Sequence, residues 1–220
     1  MFQGLNKAAA GKAAAFFMTT LMLMGTAAAQ LLVSSAAPSA AVASAAAAAT
    51  ASTSPSARLA RCASCHGTDG NSTLANSPSL AGQPKVFLEN TLIMIREGLR
   101  PIAAMDGLLD GVSDAEIVAL AEHFSKQTPR GAEASREETT FTRGQTLASR
   151  NLCGACHLPT FVGQQQMPRL ASQREDYLVH TMQGFRDNKA QGRDTQMNGV
   201  LRGYSDQDIS ALAHYFSRMP

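Results

Sequence analysis

The sequence predicts an all-α protein built as two similar domains in tandem, each of about three helices. Three observations carry this. The stretch Cys62-Ala63-Ser64-Cys65-His66 recurs 91 residues later as Cys153-Gly154-Ala155-Cys156-His157. Apolar side chains recur at the spacing i, i+3, i+4, i+7 in Ile117, Leu120, Ala121 and Phe124, and again in Ile209, Leu212, Ala213 and Phe216. No stretch alternates apolar with polar residues as a half-buried strand does.

Two cysteines two residues apart and followed at once by histidine form the attachment signature of a c-type haem. The two thiols, Cys62 and Cys65 or Cys153 and Cys156, reach the two vinyl groups on one edge of the porphyrin. The adjacent imidazole of His66 or His157 then lies under the iron. The competing readings are disulfides, a redox-active Cys-x-x-Cys, or a zinc site made of all four thiols. None of them requires a histidine after the second cysteine in both copies, and the two motifs consume all 4 cysteines of the chain. The expected cofactors are two covalently bound c-type haems. Two domains of roughly 80 residues are short of buried apolar area, and with 5% aromatics and no Trp the chain has little bulk for a core. A flat apolar body held covalently supplies what such small domains lack.

The chain opens with Lys7 and Lys12, then an apolar run from Ala13 to Ala29 that ends Ala27-Ala28-Ala29. A charged start, an apolar stretch and an Ala-x-Ala end are a signal peptide, assigned to residues 1–29. Export suits the haem motif, because c-type haem is attached outside the bacterial cytoplasm. The competing reading is an uncleaved anchor giving a loose membrane association, but about 20 apolar residues are needed to span and Gln30 interrupts the run. Residues 30–53 are almost all Ala, Ser, Thr and Val without charge, and read as a tether. The first domain is assigned to residues 54–130 and the second to 131–220.

Sliding one copy over the other defines the helices. Pro78-Ser79-Leu80-Ala81-Gly82-Gln83 matches Pro168-Arg169-Leu170-Ala171-Ser172-Gln173, and Phe87-Leu88 matches Tyr177-Leu178. Ile95-Arg96-Glu97-Gly98 matches Phe185-Arg186-Asp187-Asn188. The first helix carries the cysteines, opened by Ser54-Pro55 in one copy and by Thr142 with Gln145 in the other. The middle helix spans about 84–97 and 174–187 and ends at Gly98 or Asn188, residues that tolerate a left-handed cap. A non-helical loop follows, and then a final helix capped by Ser113 with Glu116, or Ser205 with Asp208. Residues 128–140, with Pro129, Gly131 and four charges between Glu133 and Glu138, form the interdomain linker.

The repeat also selects the second axial ligand. An iron held by histidine on one side carries methionine, a second histidine, water or nothing on the other, and that choice separates carriers from catalysts. Of 10 methionines, only Met105 and Met197 hold equivalent places, each eight residues before the capping serine and in a loop expected to be free of helix. Met94, Met182 and Met167 align with Gly184, Leu92 and Ser77, and the first two belong to the apolar pattern of the middle helices. His123, His180 and His214 face Tyr215, Asn90 and Glu122 in the other copy and read as surface or interface residues. Of Arg96, Arg100, Arg186 and Arg193, one or two are candidates to pair with haem propionates and the rest are solvated charges.

Taken together, these motifs resemble the diheme cytochrome c4 family of periplasmic electron carriers, over about 58–220. The resemblance implies two class I cytochrome c-like folds, each of about three helices wrapped around a covalent haem. It implies His66 with Met105 and His157 with Met197 on the two irons, and propionates near the domain interface. It further implies that Pro78 offers its backbone carbonyl to His66, and Pro168 to His157, tuning the ligand. The second copy departs from the first: Gly67-Thr68-Asp69-Gly70 becomes Leu158-Pro159-Thr160-Phe161, Gly82 becomes Ser172, and the loop to Met197 is two residues longer. The two haem pockets are therefore expected to be unequal.

The formal charge of +2 comes from Lys7 and Lys12, since 17 basic and 17 acidic residues remain from Arg58 onward. No basic field points to nucleic acid. Methionine on both irons leaves no open coordination position, so no residue is assigned a catalytic role. The expected function is a periplasmic carrier moving single electrons from a quinol-oxidising complex towards a terminal oxidase. The alternatives are the cytochrome subunit of a dehydrogenase such as a flavocytochrome, and a diheme peroxidase, which needs one open iron.

Overall fold

The computed structural model describes residues 54–220, so the expected signal peptide and the tether lie outside the described residues. Among the described residues eight α-helices run in chain order: α1 Pro55–His66, α2 Lys85–Arg96, α3 Asp114–Ser125, α4 Glu138–Arg150, α5 Cys153–His157, α6 Glu175–Arg186, α7 Gln196–Leu201 and α8 Asp206–Ser217. A 3-10 turn, Ala103–Met105, precedes α3. Among the described residues there is no strand, only an isolated bridge between Gln164 and Met167. The all-α expectation holds.

Caps set most of the helix ends. Ser54 accepts a hydrogen bond from the Ala57 amide and Pro55 occupies the first helical position, so α1 begins where the sequence expects. Ser113 and Glu116 form a capping box on α3, and Ser205 with Asp208 does the same on α8. In each box the acid also meets a base from the neighbouring cysteine-side helix, Arg58 to Glu116 at 2.7 Å and Arg143 to Asp208 at 2.7 Å. The middle helices stop at Arg96 and Arg186, and Gly98 and Asn188 both take positive φ, at 68° and 55°.

Three expectations need correction. The helix expected to open at Thr142 begins a turn earlier, at Glu138, because the Glu137 carboxylate accepts from the amides of both Thr139 and Thr140. The second haem motif does not continue that helix: Leu152 turns left-handed at φ 53° and the motif starts afresh as α5. The loops carrying the methionines are not free of helix, for Met105 ends the 3-10 turn and Met197 lies in the first turn of α7. Both methionines thus lie in short helical turns, and a loop free of helix is not what the two copies share there.

The Glu137 cap makes a prediction. Its hydrogen bonds from Thr140 and from the Thr139 amide lower the carboxyl from 4.5 to about 2. A depressed carboxylate stabilises the fold above its unfolded value and loses that contribution as pH falls. A Glu137→Ala variant should therefore melt below the parent at pH 7, with the gap closing between about pH 4.5 and pH 2 in thermal scans. A gap independent of pH would mean that the charge of the cap is irrelevant.

Packing differs between the halves. In the second, α4 crosses α8 so closely that a Cβ on Gly144 would stand 2.0 Å from the Ala211 carbonyl oxygen. One cluster of Phe141, Phe161, Met182, Ile209, Leu212, Tyr215 and Phe216 fills this half. In the first half α2 packs on α3, and two smaller clusters form around Ile117 with Leu120 and around Ala121 with Phe124.

The departures of the second copy keep the first copy's backbone. Gly70 takes φ 75° and its carbonyl accepts from the amides of Leu80 and Ala81; Phe161 takes φ 56° and accepts from Leu170 and Ala171. Gly82 and Ser172 both turn left-handed and donate to the carbonyls of Phe124 and Phe216, and the Ser172 hydroxyl adds a bond to the Met219 carbonyl at 2.8 Å. A side chain at such an angle costs about 1–2 kcal/mol. The Phe161 ring offsets this by packing edge-on to Tyr215 at 5.7 Å and tilted against Phe216 at 4.9 Å.

Candidate haem sites

Each Cys-x-x-Cys-His motif ends a helix on its histidine, and both histidines are held alike. His66, 8% exposed, donates from Nδ1 to the Pro78 carbonyl at 2.8 Å, and His157, 5% exposed, donates to the Pro168 carbonyl at 2.9 Å. A carbonyl only accepts, so Nδ1 carries the proton and Nε2 keeps its lone pair in the neutral ring. Burial is the main influence on both rings and lowers their pKa, which keeps them neutral and competent as ligands near neutral pH. Neither Nε2 has a hydrogen-bond partner among the described residues.

The first thiol of each motif behaves as a buried group rather than an activated one. Burial pushes Cys62 and Cys153 upward, the reverse of the shift that makes a redox Cys-x-x-Cys reactive. No group of three or more potential metal-binding His, Cys, Asp or Glu side chains occurs among the described residues. In the first half Cys62 and Met105 pack against the same buried cluster of Leu109, Val112, Ile117 and Leu120. In the second, Cys153 and Met197 pack against the cluster containing Leu201, Ile209 and Leu212. The structure thus places the motif and the matched methionine of each copy on one apolar surface.

The motif carbonyls are held unequally. The Ser72 and Ser77 hydroxyls donate to the Cys65 carbonyl at 2.7 and 3.1 Å. The second copy has Met167 where the first has Ser77.

Of the four candidate arginines, Arg96 and Arg186 end the middle helices while Arg100 and Arg193 lie in the loops beyond them. Arg96 donates to the Val112 carbonyl at 2.8 Å and pairs with Asp114 at 2.8 Å; Arg186 repeats this with the Tyr204 carbonyl at 3.4 Å and Asp206 at 2.6 Å. Both brace the middle helix against the final helix. Arg100 is different: it is 7% exposed, its Nε has no partner among the described residues, and its Nη1 donates to the Thr91 hydroxyl at 3.3 Å. Burial, then repulsion from Arg193, lowers its pKa. Although burial raises Tyr177, the guanidiniums of Arg193 and Arg100 hold its phenol below the ordinary value. The loops meet here, since a Cβ on Gly192 would lie 2.2 Å from the Leu99 carbonyl oxygen. Two like charges converging with an unsatisfied buried nitrogen call for an anion. Paired thiols, a neutral imidazole with a free lone pair, an apolar wall and a cationic junction fit a flat apolar group bearing carboxylates, which is a haem.

Sequence reasoning treated Arg100 as one of four loop charges, and no pattern within the repeat singled it out. His214 was read as a surface or interface residue, and the structure buries it: its Nε2 accepts from the Glu137 amide at 3.0 Å and its Nδ1 lies 3.3 Å from Glu175. It ties the α4 cap to α8 and α6.

The family model for cytochrome c matches residues 141–219. Cytochrome c4 from Pseudomonas aeruginosa is 32% identical over 72% of this chain and 84% of its own length. The thiosulfate dehydrogenase electron acceptor of Thiomonas intermedia is 30% identical over 73% of this chain and 79% of its own. Among solved structures, reduced recombinant cytochrome c4 from Pseudomonas stutzeri superposes with a TM-score of 0.69 at 31% identity, covering 76% of this chain and 97% of that one. By fold, by its repeated haem motif and by these likenesses, the chain belongs to the diheme cytochrome c4 family, electron-transfer proteins that hold two c-type haems covalently.

Proposed function

We propose that this protein is exported to the periplasm and carries single electrons between larger respiratory complexes, towards a terminal oxidase, with both irons closed by a histidine and a methionine. The observation that carries this reading is the shared packing of Met105 with Cys62 and of Met197 with Cys153 on one apolar cluster in each half. His66 and His157 supply the other ligand, fixed in orientation by Pro78 and Pro168. The haems supply reversible one-electron exchange. The protein fixes both ligands of each iron, excludes water with the apolar walls, and offsets the propionate charge with Arg100 and Arg193.

An optical redox titration that follows the far-red methionine-to-iron band, repeated under carbon monoxide, tests this. Both haems should show the band, and neither reduced iron should take up carbon monoxide readily. A high-spin haem, or one that binds the gas, would remove the methionine from that site and bring the peroxidase reading forward. The side chains of Leu158, Phe161 and Ser172, where the first copy has glycines of the same left-handed backbone, and the unmatched Ser77 make the pockets unequal, so two distinguishable potentials are expected. One wave of two identical one-electron centres would refute the inequality.

A second reading is supported by the relative named as the electron acceptor of thiosulfate dehydrogenase. In that reading the electrons come from a sulfur-oxidising dehydrogenase rather than from a quinol-oxidising complex. Reduction rates with each purified donor separate the two.

A further inference from the structure

Two glutamines at the same place in the repeat reach across between the halves, and each grips the peptide that orients the other half's histidine. Gln173, 4% exposed, accepts at Oε1 from the Ser79 amide at 2.8 Å and donates from Nε2 to the Ser79 carbonyl at 2.8 Å. Gln83, also 4% exposed, accepts from the Arg169 amide at 2.9 Å and donates to the Arg169 carbonyl at 3.0 Å. The Ser79 amide and the Pro78 carbonyl belong to one peptide unit, and that carbonyl is the acceptor for His66. Likewise the Arg169 amide shares its peptide with the Pro168 carbonyl, the acceptor for His157.

We infer that Gln173 and Gln83 are crossed positioning residues, each setting the ligand strength of the proximal histidine in the opposite half. The physical step is polarisation along a hydrogen-bonded chain. When the amide end of a peptide donates, its carbonyl becomes a stronger acceptor. A stronger acceptor on Nδ1–H makes the imidazole a more basic ligand. A more basic ligand favours ferric iron and lowers the potential. Gln173 therefore holds down the potential of the first haem, and Gln83 that of the second. Buried amides with both ends satisfied suit this task because they add no charge to the interface.

The inference rests on His66 and His157 being the iron ligands, which a low-spin ferric spectrum with histidine signals in the parent protein tests separately. The decisive experiment is spectroelectrochemistry of the full-length holoprotein as Gln173→Leu and Gln83→Leu, each haem assigned by paramagnetic NMR contacts to its own half. Gln173→Leu should raise the first haem's potential, moving its oxidised-to-reduced equilibrium by about threefold, and shift the hyperfine His66 Nδ1–H signal, with a smaller change at the second haem. Gln83→Leu should do the converse. Arg174→Met removes a different contact across the halves, the 3.0 Å bond to the Ser72 carbonyl, and leaves the Pro78–Ser79 peptide in place. It should leave the first haem's potential unraised. The inference is overturned if the glutamine variants shift the haem of their own half as much as or more than that of the other, if they shift neither, or if Arg174→Met reproduces the Gln173→Leu effect.

Discussion

Replacing Met105 by histidine is expected to lower the first haem's potential by about 0.1 V or more, within the roughly 0.8 V that axial ligands span. A thioether is soft and favours ferrous iron, whereas a second imidazole is a better donor to ferric iron. The change should remove half of the far-red methionine band and leave the second haem nearly untouched, because Met197 belongs to a separate cluster. Helix packing should survive: Met105 is only partly buried at the edge of the Leu109, Val112, Ile117 and Leu120 cluster, and the haem's covalent attachment does not depend on it. The same substitution at Met197 should mirror the result. An unchanged titration curve would exclude Met105 as a ligand, and a fall of equal size in both haems would show that the two irons do not titrate as separate sites.

What the sequence made legible was whatever the repeat recorded twice. The capping serines and the ends of the middle helices have partners in the other copy, so one comparison within the chain located them, and the same comparison matches the histidine motifs and pairs Met105 with Met197. Apart from the short helical turns at Met105 and Met197, the structure departs from expectation where the copies differ. Glu137 opens α4 a turn early, and no capping residue in the first copy corresponds to it. Leu152 breaks the motif away from α4, a left-handed angle that periodicity cannot reveal. Arg100 reads as one more loop charge until the fold brings Arg193 beside it. Gln83 and Gln173 were visible as a match without a reason. Their reason lies between the halves, and the repeat reports only what recurs within each.

Gly144→Val is expected to destabilise the second half by about 3 kcal/mol or more, at or above the upper end for overpacking in a core. Gly144 is helical, so the cost comes from space and not from φ. Its Cβ would lie 2.0 Å from the Ala211 carbonyl oxygen and 2.6 Å from the Tyr215 Cβ. Backbone cannot swing aside as a flexible side chain does, so α4 must lift from α8 and open the cluster that joins Phe141 to Tyr215 and Phe216. Alanine carries the same Cβ and should already show much of the loss. Gly199, in α7, has nothing within 4 Å of the added carbon. Gly199→Ala should therefore be neutral or stabilising by up to about 1 kcal/mol through helix propensity. For a protein of this size about 3 kcal/mol corresponds to a melting-point fall of roughly 6–12 °C. Urea unfolding followed by circular dichroism and by haem absorbance reads both variants. Equal midpoints for Gly144→Val and the parent would mean that α4 and α8 do not cross at this glycine, and the close crossing that sets the second half apart from the first would have to be abandoned.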